Sequence, residues 1–312
     1  MEKVNNTTVT YFILKGVSDI PELQDLVFLF VLIIYLLTVG GNLCIMLLVY
    51  LDPQLQTPMY FFLGHLSLID ISSATTNLHK IFTSYISGDK SISFFGCMAQ
   101  FYFFSYLTID ELLILTAMSY DRYEAICNPL HYHMVMRRSI CALLVALCYL
   151  MGCVETLPCV VLLSELSCFK SNIINHFFCD LVALMQLSCS DKRVLELYTL
   201  IEGSVLGSAT PAIFTVLPYV FILKTIFKIR SVTGRQKAFY TCSSHLTVVI
   251  LLYITISCQY LRPIQVNSLD TSKLFSFFNT AAVPLLNPLI YSLKNKEVKL
   301  AFKKWMLWFK TE

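Results

Sequence analysis

Two groups of ionisable residues stand out because each lies within or at the end of a long apolar run. The first is Asp121-Arg122-Tyr123, inside Met118–Cys127, which closes an apolar stretch beginning near Cys97. An ionised arginine at the edge of hydrocarbon must find a partner, and Asp121 supplies a countercharge from the next position. Such a pair can be held shut in one state and opened in another, which is the chemistry of a switch. The plainer alternative is an arginine that reaches to the interface and anchors a helix end. The second group is Asp70 and Glu111. Phe104, Thr108, Glu111, Leu115, Met118 and Arg122 recur at three- and four-residue spacing and so share one helical face. Glu111 then lies about 16 Å from Arg122 along that helix, with Asp70 at a similar depth on a neighbouring one. Two carboxylates facing each other in hydrocarbon cannot both stay ionised and unpaired: either one is protonated or a cation such as sodium lies between them. A hydrogen-bonded clasp without an ion is the simpler alternative, and Asn42 and Asn287 could complete the cluster.

Catalysis finds no such arrangement. His65, His131, His133 and His245 have no metal-ligand spacing, and no nucleophile stands beside a base. The chain does not read as an enzyme, and apart from sodium no cofactor is expected. A net charge of +3 without a basic, aromatic-interleaved patch argues against a nucleic-acid partner.

The elements that must position these residues are membrane helices. The 312 residues are 56% hydrophobic and 14% charged, with a mean hydropathy of +0.68, against about 25% charged in a soluble chain. Leu26–Leu51 carries no Asp, Glu, Lys or Arg and exceeds the ~20 residues needed to span hydrocarbon. Similar runs follow at Met59–His79, Gln100–Ile126, Ile140–Leu163, Leu197–Leu223, Ala238–Leu261 and Leu274–Leu293. Their alternation is too weak for a barrel, so the spacing predicts an all-α membrane protein, a bundle of seven transmembrane helices. The expected division of this single domain is residues 1–25 outside, 26–293 in the bundle and 294–312 as an inner tail. Placing the N-terminus outside puts fourteen of the 23 Lys and Arg residues on the inner side. Residues 1–25 lack the pattern of a cleavable signal peptide, so the first span is expected to insert itself. Asn5 and Asn6 each begin a glycosylation tripeptide, usable only outside.

One connection is long. Ser164–Glu196 holds Cys168, Cys179 and Cys189, and with Cys97 these make four cysteines on the oxidising side. They read as two disulfides with three possible pairings, among which spacing does not choose. Beyond the last span, Val298, Ala301, Phe302, Trp305 and Phe309 mark one face of a short amphipathic C-terminal helix, with lysines on the other, suited to the surface of the lipid bilayer. Pro284 and Pro288 should kink the seventh span. Glu155 and Glu202, in the fourth and fifth, read either as interhelical hydrogen-bonding acids or as polar anchors in a cavity.

Several motifs in order now carry a resemblance. They are Gly41-Asn42, Leu55 to Leu63 (LQTPMYFFL), Met118 to Cys127, Pro129-Leu130-His131-Tyr132, Lys237 to Leu246 (KAFYTCSSHL) and Pro284 to Tyr291. From end to end the chain resembles the olfactory receptors, within the rhodopsin-like G-protein-coupled receptors. The resemblance implies that the outer half binds a small odorant. It implies that the inner half couples to a heterotrimeric G protein of the stimulatory olfactory type, raising cyclic AMP at the plasma membrane. It makes Asp121, Arg122 and Tyr123 the coupling switch, with Tyr219 and Tyr291 beside it, and Asp70 with Glu111 an ion site. It pairs Cys97 with Cys179 and Cys168 with Cys189. It places the pocket on the third, fifth, sixth and seventh spans, for which Phe104, Ser105, Thr108, Gly203, Gly207, Tyr253, Ser257, Tyr260, Phe277 and Thr280 are the candidates. Those side chains offer few charges, so the ligand should be mostly apolar. Departures from the family pattern are Glu124 in place of valine, Leu252 and Ile254 flanking Tyr253, Pro218 and His79. Glu124 bears on basal activity, and Leu252 with Ile254 on the pocket floor. Other readings are a related receptor for a non-odorant ligand and a transporter with Asp70 and Glu111 as a proton relay. The transporter would need matching broken helices in two equal halves, and seven spans do not divide so.

Overall fold

A computed structural model describes residues 9–18, 20–260 and 269–311. Asn5 and Asn6 lie outside the described residues, as does the side chain of Tyr260. In chain order the helices are α1 (Gln24–Leu51), α2 (Pro58–Ser87), α3 (Phe94–Cys127), the short α4 (Tyr132–Val135), α5 (Arg138–Ser164), α6 (Leu181–Leu187), α7 (Arg193–Ile201), α8 (Thr210–Lys228), α9 (Val232–Tyr260), α10 (Leu269–Phe277), α11 (Val283–Lys294) and α12 (Lys296–Thr311). A π-helical stretch, Glu202–Ala209, joins α7 to α8, and another, Phe278–Ala282, joins α10 to α11. The fifth and seventh spans are therefore each one helix with a wider turn in the middle, a feature common at functional sites.

The seven spans are α1, α2, α3, α5, α7–α8, α9 and α10–α11. Helices α1 and α5 match their apolar runs within two residues, while α2 continues two turns past His79 to Ser87 and α3 begins more than a turn before Gln100, at Phe94, because backbone hydrogen bonding continues into the head-group region. Among the described residues, six are long and apolar enough to cross a membrane on length and composition alone. The exception is α2, 30 residues long, whose apolarity is diluted by His65, Asp70, His79, Lys80 and a series of serines and threonines. Its Ser72, Thr75, Thr76 and Ser87 hydroxyls each donate to the carbonyl four residues back, so few of its polar groups are left to face lipid unpaired.

The helices are inverted relative to a soluble bundle. On α1 the stripe Val31, Thr38, Asn42, Ile45 and Leu48 is buried, while Leu26, Leu29, Phe30, Leu36 and Leu37 lie exposed, where lipid is the solvent. Helix α3 is the central strut and packs against α2, α5 and α8. Ser93 begins it by accepting the Gly96 N–H at 3.0 Å, and Gly88, at φ +71°, ends α2 in the left-handed conformation that favours glycine. Gly152 on α5 allows a close approach: a Cβ there would run into the Asp110 carboxylate of α3.

The face expected to lie outside, called outer below and its opposite inner, carries a small sheet that the apolar pattern did not announce. Strand β1 (Tyr11–Leu14) pairs antiparallel with β2 (Ser91–Ser93) and parallel with β3 (Ile173–Ile174). Phe12 and Leu14 are buried while Tyr11 is exposed, the period of two that a strand imposes. On the inner face, the tail helix α12 begins after Asn295, whose Oδ1 accepts the Glu297 N–H at 3.0 Å. It buries Val298 and Ala301 and packs Trp305 against the core.

Candidate functional site

At the inner end of α3, Asp121 is fully buried and accepts from three donors. Arg122 approaches through Nη2 at 2.5 Å and Nε at 3.0 Å, both to Oδ2, and the Tyr132 hydroxyl donates to Oδ1 at 2.8 Å. Tyr132 comes from α4, in the loop after α3. Burial, and then the Asp121 charge, raise its pKa well above the usual range, so it remains a donor. Arg122 keeps 12% of its side chain exposed and lines a cavity of about 1130 Å³ with Tyr60, Tyr132, Leu223, Arg235 and Phe239. The cavity opens at the inner ends of the helices. Glu124 is buried and accepts from Asn128 Nδ2 at 3.2 Å; the bonds of Arg122 go to Asp121.

Tyr123 packs beside Tyr219, Ile222 and Ile226 of α8. The Tyr219 hydroxyl lies 2.5 Å from Nδ1 of His245 on α9, with the two rings stacked. Tyr291 is completely buried, and its hydroxyl has no hydrogen-bond partner among the described residues. The sequence assigned no role to Tyr132 or His245, although both stand in the inner-loop and sixth-span motifs.

At mid-depth, Asn287 brings the two carboxylates together. Its Nδ2 lies 3.0 and 3.2 Å from the Asp70 oxygens and 3.1 Å from Glu111 Oε1. All three residues are buried. The Asn287 Oδ1, also buried, has no hydrogen-bond partner among the described residues. Asn42 stands apart: its Nδ2 donates to the carbonyls of Thr38 and Pro284, each at 3.0 Å. It uses a carbonyl freed by the Pro288 kink and ties the first span to the seventh.

The outer half is closed by the loop between α5 and α7. Disulfides join Cys97 to Cys179 and Cys168 to Cys189. Gln100 of α3 accepts the Cys179 N–H at 3.1 Å and donates to the Thr76 carbonyl at 3.2 Å. Asp180 caps α6 through the Val182 and Ala183 N–H groups. Between these anchors Phe177 and Phe178 enter the bundle, Phe178 against Phe104 at 4.9 Å and Phe177 against Phe277 at 6.1 Å between ring centroids. Phe104 and Phe277 are thus brought together under loop aromatics that the helical periodicity could not reveal.

The other pocket candidates are spread around this cluster. Gly203 and Gly207 lie in the first π stretch and Thr280 in the second. Thr108 and Thr280 donate to Phe104 and Ser276 carbonyls on their own helices. Ser105 and Ser257 are half-buried, and the Tyr253 hydroxyl is buried without a hydrogen-bond partner among the described residues. Leu252 beside it is fully buried in the core. None of these residues lines the inner cavity, nor a second one of about 1290 Å³ between α2 and α3.

Against known proteins, the sequence profile of the olfactory receptor family matches residues 30–308. Human olfactory receptor 8J2 is 46% identical over 98% of this chain and 97% of its own length. Human olfactory receptor 5I1 is 46% identical over 96% and 95%, and mouse olfactory receptor 5G9 45% over 96% of each. Among solved structures, squid rhodopsin superposes with a TM-score of 0.67 at 15% identity, covering 90% of this chain and 84% of that one, a likeness of fold. With the buried aspartate–arginine pair at its inner mouth and its seven-helix bundle, the chain is a multi-pass membrane receptor, not an enzyme, and belongs to the olfactory receptor family.

Proposed function

We propose that this protein is an odorant receptor of the plasma membrane, with its N-terminus outside, that raises cyclic AMP through a stimulatory heterotrimeric G protein. The observation that carries the reading is the Asp121–Arg122–Tyr132 lock at the mouth of the inner cavity. While the lock holds, the guanidinium is engaged within its own bundle. Opening it frees the arginine's donors towards a partner segment entering the cavity, and the Tyr219–His245 bond between the fifth and sixth spans is the neighbouring contact that would rearrange. The driving force is population shift: an agonist binds the form with separated inner ends better than the closed form.

The ligand site we propose is the outer half around Phe104, Phe277 and the loop phenylalanines. Its apolar lining selects a mostly apolar molecule, and hydroxyls at Ser105, Thr108, Tyr253 and Ser257 serve to orient one polar group. Deeper in the bundle, the Asp70 and Glu111 carboxylates are hard oxygen donors of the kind that hold sodium; a shared proton, with the Asn287 amide donating to both carboxylates, serves the same neutralising role.

The test is cyclic AMP in cells expressing the chain, challenged with a broad odorant panel beside Arg122→Ala at matched surface expression. The expected result is an odorant response that the variant abolishes. A response of equal size in Arg122→Ala would contradict the proposal, and odorant-driven uptake without any nucleotide response would favour a transporter.

A further inference from the structure

The cavity of about 1290 Å³ between α2 and α3 belongs to neither the odorant region nor the inner mouth. It follows one stripe of α2 and one of α3 on the outside of the bundle. Its walls include Leu68 and Phe103, 44% and 50% exposed, so it opens sideways to lipid. Its chemistry is graded along the helix axis. At the end nearest the α2–α3 turn it is lined by His79, Lys80, Asp89 and Ser91; below come Ile71, Ala99, Phe103, Leu107 and Leu68, and the polar groups at this depth, Gln100 and the His65–Tyr149 pair at the far end, are already hydrogen-bonded within the protein. From Lys80 down to Leu68 is about 18 Å of helix, close to the roughly 15 Å of hydrocarbon in one leaflet. The groove therefore has the length of a leaflet, with its polar end at head-group depth.

That polar end carries both signs of charge. Lys80 Nζ donates to the Asp89 carbonyl at 3.3 Å and keeps further N–H donors for a ligand. The Asp89 carboxylate accepts the Ser91 N–H at 2.8 Å, which holds its pKa below the usual carboxylate range, so it stays ionised. A purely anionic head group would meet Asp89 as well as Lys80, and a purely cationic one the reverse.

We propose that this groove holds one zwitterionic phospholipid of the adjoining leaflet, its phosphate on Lys80, its quaternary ammonium beside Asp89, and an acyl chain along Leu68 and Phe103. The hydroxyls of Ser72, Thr75 and Thr76 are already bonded to their own helix, so the chain crosses that wall without stranding a donor. The proposal rests on the membrane placement of the chain and is independent of which odorant it binds.

The full-length protein would be reconstituted in nanodiscs with phosphatidylcholine carrying a diazirine on one chain, photolysed, and its labelled peptides mapped. Label should concentrate on α2 and α3 around Leu68 and Phe103 above the exposed α5 face, Leu143–Val161. Lys80→Glu and Asp89→Lys should each lower groove labelling by up to about fivefold, the scale of one exposed ion pair, and the double exchange should recover it. Neither residue is buried, and monodisperse elution checks that the variants fold. Groove labelling no higher than on α5, or unchanged in both variants, would overturn the proposal. Equal labelling by a phosphatidylglycerol probe, or a loss with Lys80→Glu alone, would replace the zwitterion with an anionic lipid. Displacement of the label by members of an odorant panel would make the groove a small-molecule site instead.

Discussion

The two ends of the bundle are held by different kinds of bond. The outer end is fixed by covalent and backbone links: two disulfides, a three-stranded sheet and the Gln100 staple, with Phe177 and Phe178 filling the space beneath. Among the described residues, the contacts that tie the inner ends of different helices together are made by side chains, around an open cavity. Asp121 gathers Arg122 and Tyr132, and Tyr60 of α2 meets Asn295 and Glu297 of the tail through bonds of 2.6 to 3.1 Å. Side-chain latches of about 1 kcal/mol each can be traded for contacts with a partner; a disulfide cannot. On the function proposed above, a receptor built this way keeps a fixed frame over the proposed ligand region and reserves its freedom for the side proposed to meet the G protein.

The largest effect is expected at the outer frame. Cys97→Ser should cost about 2–5 kcal/mol and lower the thermal midpoint of the purified receptor steeply, because the bridge closes a separation of 82 residues. A shift no larger than that of a free-cysteine variant such as Cys44→Ser would show that the frame does not depend on the bond. A smaller effect is expected from pH. His176 is completely buried in the outer loop, and burial, then the Lys273 charge, push its pKa down to about 3, against about 6.5 in the unfolded chain. The unfolded state therefore takes the proton first. Stability present above about pH 6.5 is lost as pH falls towards 3, by about 2 kcal/mol at pH 5. Thermal midpoints at pH 7 and pH 5 should differ in the native chain, and the difference should shrink in His176→Asn; an equal difference in both would place the acid sensitivity elsewhere. The smallest effect belongs to a single latch. Tyr132→Phe removes one donor to Asp121 and should raise agonist-free G-protein turnover up to about fivefold, the scale of one hydrogen bond. Unchanged or lowered basal turnover would mean that this bond does not hold the inner mouth shut.

What was legible from sequence follows the range of the interactions. The spans could be read because hydrocarbon imposes one rule on each of them, and α2 could be read despite its polar residues because apolar positions still recur along its 30 residues. The Asp70–Glu111 pair was legible by helical depth, and Asn287 proves to be the residue that joins them. Asn42, equally polar, spends its amide on a Pro284 carbonyl instead, a choice set by the kink of the seventh span rather than by position along the first. The outer sheet escaped because each of its strands is two to four residues long, too short for periodicity to register. Phe177 and Phe178 escaped because a loop residue has no helical face, and their place was set by the Cys97–Cys179 link beside them. Asp110 escaped because the surface it meets is a glycine, which leaves no side-chain signature in the sequence; it lies fully buried against Gly152, on the side of α3 that faces α5.

The most direct test of the lock is nucleotide loading of a purified stimulatory G protein by the reconstituted receptor without agonist, comparing the native chain with Asp121→Asn and Arg122→Ala. Releasing the arginine while keeping it present should make Asp121→Asn faster than the native chain, and removing the arginine should leave Arg122→Ala at the level of empty nanodiscs. Loading at one rate by all three would contradict the account, because the Asp121–Arg122 pair would then be an anchor at the membrane edge and not a switch.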